Sequence, residues 1–263
     1  MRMPLLEVCM RAIRSYFSKT ELALWSVSVL FIIMSFLIFD RESGLTLIAS
    51  LIGVTSLIFN AKGNPVGQVL MIVFSVIYGV ISYAFAYYGE MLTYLGMTMP
   101  MACFALISWR KNPYNGNKAE VRVSGIGKKE QILMWFLTLA VTVVFGYILK
   151  RFHTANIVPS TISVTTSFLA AYLTFRRCPA FALAYAANDI VLIVLWVLAS
   201  ISDAKYISVV VCFLAFLAND IYGYVSWRKM KWRQAENQNA QCADVNRKHI
   251  YNEFSVRYNQ KNR

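Results

Sequence analysis

Two aspartates stand inside long apolar stretches of this sequence: Asp189 in YAANDIVLIVLW (185–196) and Asp220 in NDIYGYVSW (219–227). Helical spacing puts Tyr185, Asp189 and Trp196 on one face, at steps of four and seven, and Asp220 likewise has Tyr224 four and Trp227 seven residues on. A carboxylate flanked by aromatic rings suits a desolvated cationic ring, through charge attraction and cation–π contact worth ~0.5–2 kcal/mol. Tyr222 adds another ring, and the amides of Asn188, Asn219 and Gln68 can take hydroxyls or a carboxamide. Gln68, Ser75, Tyr78 and Ser82 form a further polar stripe at steps of seven, three and four.

Plainer readings compete with these. Asp220 lies within two turns of a basic helix end and can pair with Arg228 or Lys229. Asn188 and Asn219 can serve as interhelical hydrogen-bond glue, and Tyr222, Tyr224 and Trp227 as an interfacial aromatic belt. Asp189 is the least ordinary, because an acid at a membrane helix centre costs about 2.5–3.5 kcal/mol on insertion scales.

Signatures of catalysis are missing, and no catalytic residue, metal site or cofactor is expected. GIGKKE (125–130) lacks the spacing and the Ser/Thr of a phosphate loop. The histidines, His153 and His249, do not form a pair, and no G-x-S-x-G occurs. Cys9, Cys103, Cys178, Cys212 and Cys242 show neither a metal spacing nor a disulfide framework.

The elements that must position these residues are membrane spans. Hydrophobic residues make up 58% of the chain and charged residues 15%, with a mean hydropathy of +0.51. Eight apolar runs approach the ~17–25 residues a spanning helix needs: Leu22–Phe39, Gly44–Asn60, Gly67–Tyr88, Met91–Trp109, Ile132–Leu149, Val158–Phe175, Ala180–Ile201 and Lys205–Trp227. The second and sixth are the weakest, being short and rich in Ser and Thr. The first run has no small-residue cleavage site after it, so it reads as a span and not as a signal peptide. Pro4–Phe17 reads as a short interfacial amphipathic helix.

Charge placement supplies the orientation. With a cytoplasmic N-terminus, segments 1–21, 61–66, 110–130, 176–179 and 228–263 hold 22 of the 26 Lys and Arg residues. This is the positive-inside pattern. It explains the net charge of +13 by topology, with anionic lipid contact as a by-product and no nucleic-acid partner.

The chain also repeats itself. ISWRK (107–111) returns as VSWRK (225–229), closing the fourth and eighth runs. KGNP (62–65) and RRCP (176–179) precede the third and seventh. Pro65 to Trp109 is 44 residues and Pro179 to Trp227 is 48, a difference the size of a loop insertion. The expected architecture is all-α, with eight transmembrane helices as 1+3+1+3. Residues 1–43 carry an extra helix, 44–109 and 158–227 are three-helix repeats, 110–157 is a loop with a linker helix, and 228–263 is a polar tail expected to be disordered. A single linker helix leaves both repeats in the same orientation, a plan that puts the substrate between the halves. Aligned on the prolines, Ser75 matches Asp189 and Ser82 matches Trp196; aligned on W-R-K, Asp220 falls on Ala102. The site is therefore expected to be asymmetric, with its polar load in the second repeat.

The three-one-three plan, the N-D-x-Y-G-x-x-x-W run closing span eight and the W-R-K closing span four resemble the PnuC family of bacterial vitamin-precursor transporters, over roughly residues 40–230. The resemblance implies a plan like that of the sugar-facilitating SWEET proteins, placed in the bacterial inner membrane. It implies downhill uptake of nicotinamide riboside, or in relatives thiamine, riboflavin or nucleosides, with phosphorylation trapping the substrate. It also implies a homotrimer. A proton-coupled carrier with Asp189 or Asp220 as relay is the alternative.

Overall fold

The computed structural model describes residues 15–84, 88–154 and 156–261. Cys9, the side chain of Cys242 and most of Pro4–Phe17 lie outside the described residues. The helices are α1 (Lys19–Phe39), α2 (Gly44–Ala61), α3 (Val66–Ala84), α4 (Tyr88–Thr93), α5 (Met99–Lys111), α6 (Lys128–Arg151), α7 (Ile157–Phe175), α8 (Phe181–Ser200) and α9 (Ile207–Lys261). With α4 and α5 joined by a π turn, they supply eight segments long and apolar enough to cross a membrane. All eight fall on the expected runs.

The outside of the bundle is apolar, the inverse of a soluble protein. On α6, Ile132, Trp135, Phe136, Leu139, Val143 and Tyr147 are all exposed. The Ser/Thr-rich runs two and six lie deep in the bundle, where their hydroxyls find partners. Ser56 of α2 donates to the Gly67 carbonyl at 2.8 Å, and Thr165 of α7 shares a 2.8 Å hydrogen bond with Thr142 of α6. Their weak hydropathy reflects helices that face protein more than lipid.

The π turn, Tyr94–Thr98, has a local cause. Pro100 cannot donate to the preceding turn, and the Met99 amide reaches back five residues to the Tyr94 carbonyl.

At the end carrying both W-R-K blocks, the contacts come in matched pairs. The Trp109 indole donates to the Thr174 carbonyl at 2.9 Å, and the Trp227 indole to the Asn60 carbonyl at 2.7 Å. Beside them Ser108 donates to Phe175 O and Ser226 to Ala61 O. The two indoles lie 5.4 Å apart, centroid to centroid. The turns after α2 and α7 match as well. Gly63 (φ 66°) and Arg177 (φ 56°) both take the left-handed conformation, and their amides donate to Asn60 O and Thr174 O. Each turn's carbonyl then accepts from one connecting strand: Val121 N–H to Gly63 O and Ser124 N–H to Arg177 O, both at 3.0 Å.

That strand belongs to a hairpin, β1 (Pro113–Tyr114) and β2 (Asn117–Val121), inside the segment expected to be a loop. The hairpin docks on α9 through Gln234, which accepts from Val123 N–H at 2.9 Å and donates to Val121 O and Glu120 Oε1. The tail expected to be disordered therefore differs: α9 continues through it to Lys261. From Arg228 to Lys261 the sequence holds no Gly or Pro and many good helix formers. Extending an existing helix also avoids the cost of nucleation.

Ion pairs secure the peripheral helices at this end. Glu21 of α1, itself buried, pairs with Lys62 at 3.1 Å, and Glu130 of α6 pairs with Arg176.

Gly67 allows α3 to start against α2. A Cβ there would meet Asn60 Oδ1 at 2.2 Å and the Asn60 backbone nitrogen at 2.8 Å. Gly67→Ala is expected to destabilise the protein by about 1–3 kcal/mol through overpacking, seen as a lower unfolding temperature in detergent. An unchanged midpoint would mean that the two helices part without cost.

Candidate functional site

Both acids open onto a cavity of about 120 Å³ at the centre of the bundle. α2 and α3 supply Gly53, Met71 and Phe74, the π turn supplies Tyr94, and α7 supplies Ser160, Ser163 and Ser167. α8 contributes Tyr185, Asn188, Asp189 and Trp196, and α9 contributes Phe213, Phe216 and Asp220. The walls are therefore aromatic, with a hydroxyl-rich flank along α7 and one acidic spot where α8 meets α9.

Asp189 and Asp220 come from adjacent helices and line the same cavity. Asp189 is 4% exposed, and its Oδ2 is buried with no hydrogen-bond partner in the described structure. A buried unsatisfied carboxylate oxygen is costly, so this atom is poised to receive a cation or a donor. Asn188 Oδ1 accepts from Ser163 at 3.0 Å and Thr166 at 2.9 Å. These bonds fix the amide, so that its nitrogen is the end available to donate. Gly53 admits the rings on the far wall: a Cβ there would lie 2.5 Å from Phe216 and 3.1 Å from Phe74.

Of the residues singled out in the sequence, the structure gathers Tyr185, Asn188, Asp189, Trp196 and Asp220 around this cavity. The others are engaged elsewhere. Gln68 donates to Asn60 Oδ1 at 2.8 Å, and buried Ser75 donates to Met71 O at 2.9 Å. Tyr78 stacks with Phe74 and Tyr94, at 4.8 and 5.1 Å between centroids. Asn219 turns toward α1, donating to Ser28 Oγ at 2.9 Å. Tyr222 donates to Glu21, and Trp227 belongs to the paired contacts with Asn60 and Trp109. Tyr224 accepts from Arg228 at 3.0 Å, so Arg228 turns to this phenol and Asp220 faces inward.

Phe74, Phe216, Tyr94 and the α7 serines were not legible as site residues. A Phe within an apolar run carries no mark distinguishing a cavity wall from lipid contact. Tyr94 had a faint signal in the Pro100 that follows it, since helix irregularities recur at functional sites.

The comparisons with known proteins converge. A family model described as nicotinamide mononucleotide transporter matches residues 43–229. The chain is 26% identical over 218 residues to a nicotinamide riboside transporter PnuC of Neisseria mucosa, covering 81% of this chain and 82% of that protein. It is 25% identical over 193 residues to the PnuC of Haemophilus influenzae, covering 72% and 81%. Its fold matches a crystal structure described as the vitamin B3 transporter PnuC with a TM-score of 0.71 at 22% identity, covering 83% of this chain and 94% of that one.

Proposed function

Since the chain belongs to the nicotinamide mononucleotide transporter family and is thus a multi-pass membrane transporter, we propose that the central cavity carries nicotinamide riboside. Passage is downhill, and phosphorylation inside the cell retains the product. The observation that carries this reading is the unpartnered carboxylate oxygen of Asp189 among Tyr185, Tyr94 and Trp196. A pyridinium ring supplies the missing positive charge and stacks on those rings. Asn188 and the α7 serines then face the ribose hydroxyls and the carboxamide. The names of the similar proteins support the same substrate. Thiamine, also an aromatic cation, is the first competitor.

Two parallel repeats, 44–109 and 158–227, related by an axis between Trp109 and Trp227, account for the matched contacts at that end and frame the cavity. The arrangement is SWEET-like, with α1 as the extra helix and α6 as the linker. Both termini face the cytoplasm, as the Lys/Arg distribution requires, in the bacterial inner membrane, and the chain assembles as a trimer.

Purified protein in liposomes is expected to equilibrate labelled nicotinamide riboside without ATP or an ion gradient. The internal concentration should level at the external one. Accumulation above that level driven by a pH gradient would favour proton coupling through the paired carboxylates, and failure with every vitamin and nucleoside tried would end the transport reading. A disulfide-dependent phosphatase, active only when exported to the periplasm, is expected to be inactive when fused after Lys261; activity would reverse the orientation.

A further inference from the structure

Toward the opposite end of the bundle lies a second cavity of about 60 Å³. Asp40, the residue closing α1, and Ser43 reach it from the α1–α2 connection. Lys205 and Tyr206 reach it from the α8–α9 connection, and Tyr78 and Trp196 form its floor. Trp196 lines both cavities, so its indole is a shared partition. Its ring lies 5.4 Å from Tyr206 on the outer side. Beside it, Tyr78 of the outer cavity stacks on Tyr94 of the central one. Aromatic rings therefore border both spaces, Trp196 directly and the Tyr78–Tyr94 pair across them.

The charges are sorted as well. The Lys205 ammonium is held 2.8 Å from Asp203 and lies over the Tyr206 ring. Its hydrogen bonds keep the Asp203 carboxyl below the usual carboxylate range. Lys205 is thus matched by an acid of its own connection. The Asp40 carboxylate accepts a long 3.3 Å hydrogen bond from the Ser43 amide, and it is the carboxylate that lines the cavity.

Resting on the functional reading above, we propose that this outer cavity is an access subsite for the same aromatic cation. The ring is taken between Tyr78, Tyr206 and Trp196, with Asp40 as its counter-charge, before Trp196 turns to admit it to the centre. The subsite also gives α1, which stands outside the repeats, a part in recognition: it ends at the acid.

The test compares influx and equilibrium binding for the full chain, using nicotinamide riboside and its neutral dihydro form as probes. Asp40→Asn is expected to lower kcat/KM for influx of the cation roughly 5- to 10-fold. It should leave influx of the neutral form, and equilibrium binding of the cation in detergent, within about twofold of the parent protein. Tyr206→Ala should lower influx of the cation about threefold or more, and Tyr206→Phe, which keeps the ring, should restore it. Equal loss for the charged and neutral probes, or no loss for either, overturns the subsite. Failure of the parent protein to bind or carry the cation at all overturns the functional reading instead.

Discussion

Asp189→Asn is expected to weaken binding of nicotinamide riboside by about 10- to 100-fold and to reduce influx in step. The substitution keeps the shape of the side chain and removes only its charge. Two unit charges 4 Å apart attract by about 4 kcal/mol at an effective dielectric of 20. Removing water from both partners offsets part of that, leaving about 1.5–3 kcal/mol, the range of a hydrogen bond to a charged group. Because Asp189 Oδ2 lacks a protein partner, replacing that oxygen leaves no protein donor unpaired. The unfolding temperature should stay level or rise, since a buried carboxylate is harder to satisfy than an amide. Isothermal titration in detergent reads the affinity. An affinity within twofold of the parent protein would remove Asp189 from recognition and shift attention to Asp220.

Trp227→Ala should have the largest effect on stability of any single truncation at the W-R-K end. The side chain is fully buried, packs edge-on against Phe181 at 4.9 Å and against Trp109, and donates to Asn60 O. Truncating a buried Trp costs about 3–5 kcal/mol. Trp227→Phe keeps much of the packing and loses one hydrogen bond, leaving the Asn60 carbonyl to the Gly63 amide, at about 0.5–1.5 kcal/mol. Thermal unfolding in detergent should rank the variants parent, Phe, Ala. Trp232→Ala, at a 65% exposed position one turn further along α9, should be silent. Equal shifts for Trp227→Ala and Trp232→Ala would show that the matched contacts add nothing to stability.

The two kinds of sequence signal differed in reach. Run length and hydropathy located all eight long apolar helices found among the described residues, because lipid imposes that constraint on every residue of a run. The W-R-K and Pro registers located contacts that turned out to be hydrogen-bonded in pairs. The helical spacing of Tyr185, Asp189 and Trp196 puts them on one face, and all three line one cavity. Spacing could not separate Asp220 from its neighbour Asn219, because one step along a helix turns the side chain by about 100°. One residue therefore meets the cavity and the other meets Ser28. The docked hairpin depends on contacts between Gln234 and residues 120–123, more than a hundred positions apart, which no local pattern announces.

The strand that accepts neither turn as its own has a mechanical consequence. Val121, the last residue of β2, and Ser124, three residues on, hold the carbonyls of Gly63 and Arg177. The connection between the halves thus works as a spacer of set length, anchored at its far side by Gln234. One residue inserted between these anchors would lengthen it by ~3.3 Å, and one deleted would shorten it by as much. The resting separation of the two turns is then a matter of chain length in a segment remote from the cavity, and it can be adjusted without touching any residue the substrate meets.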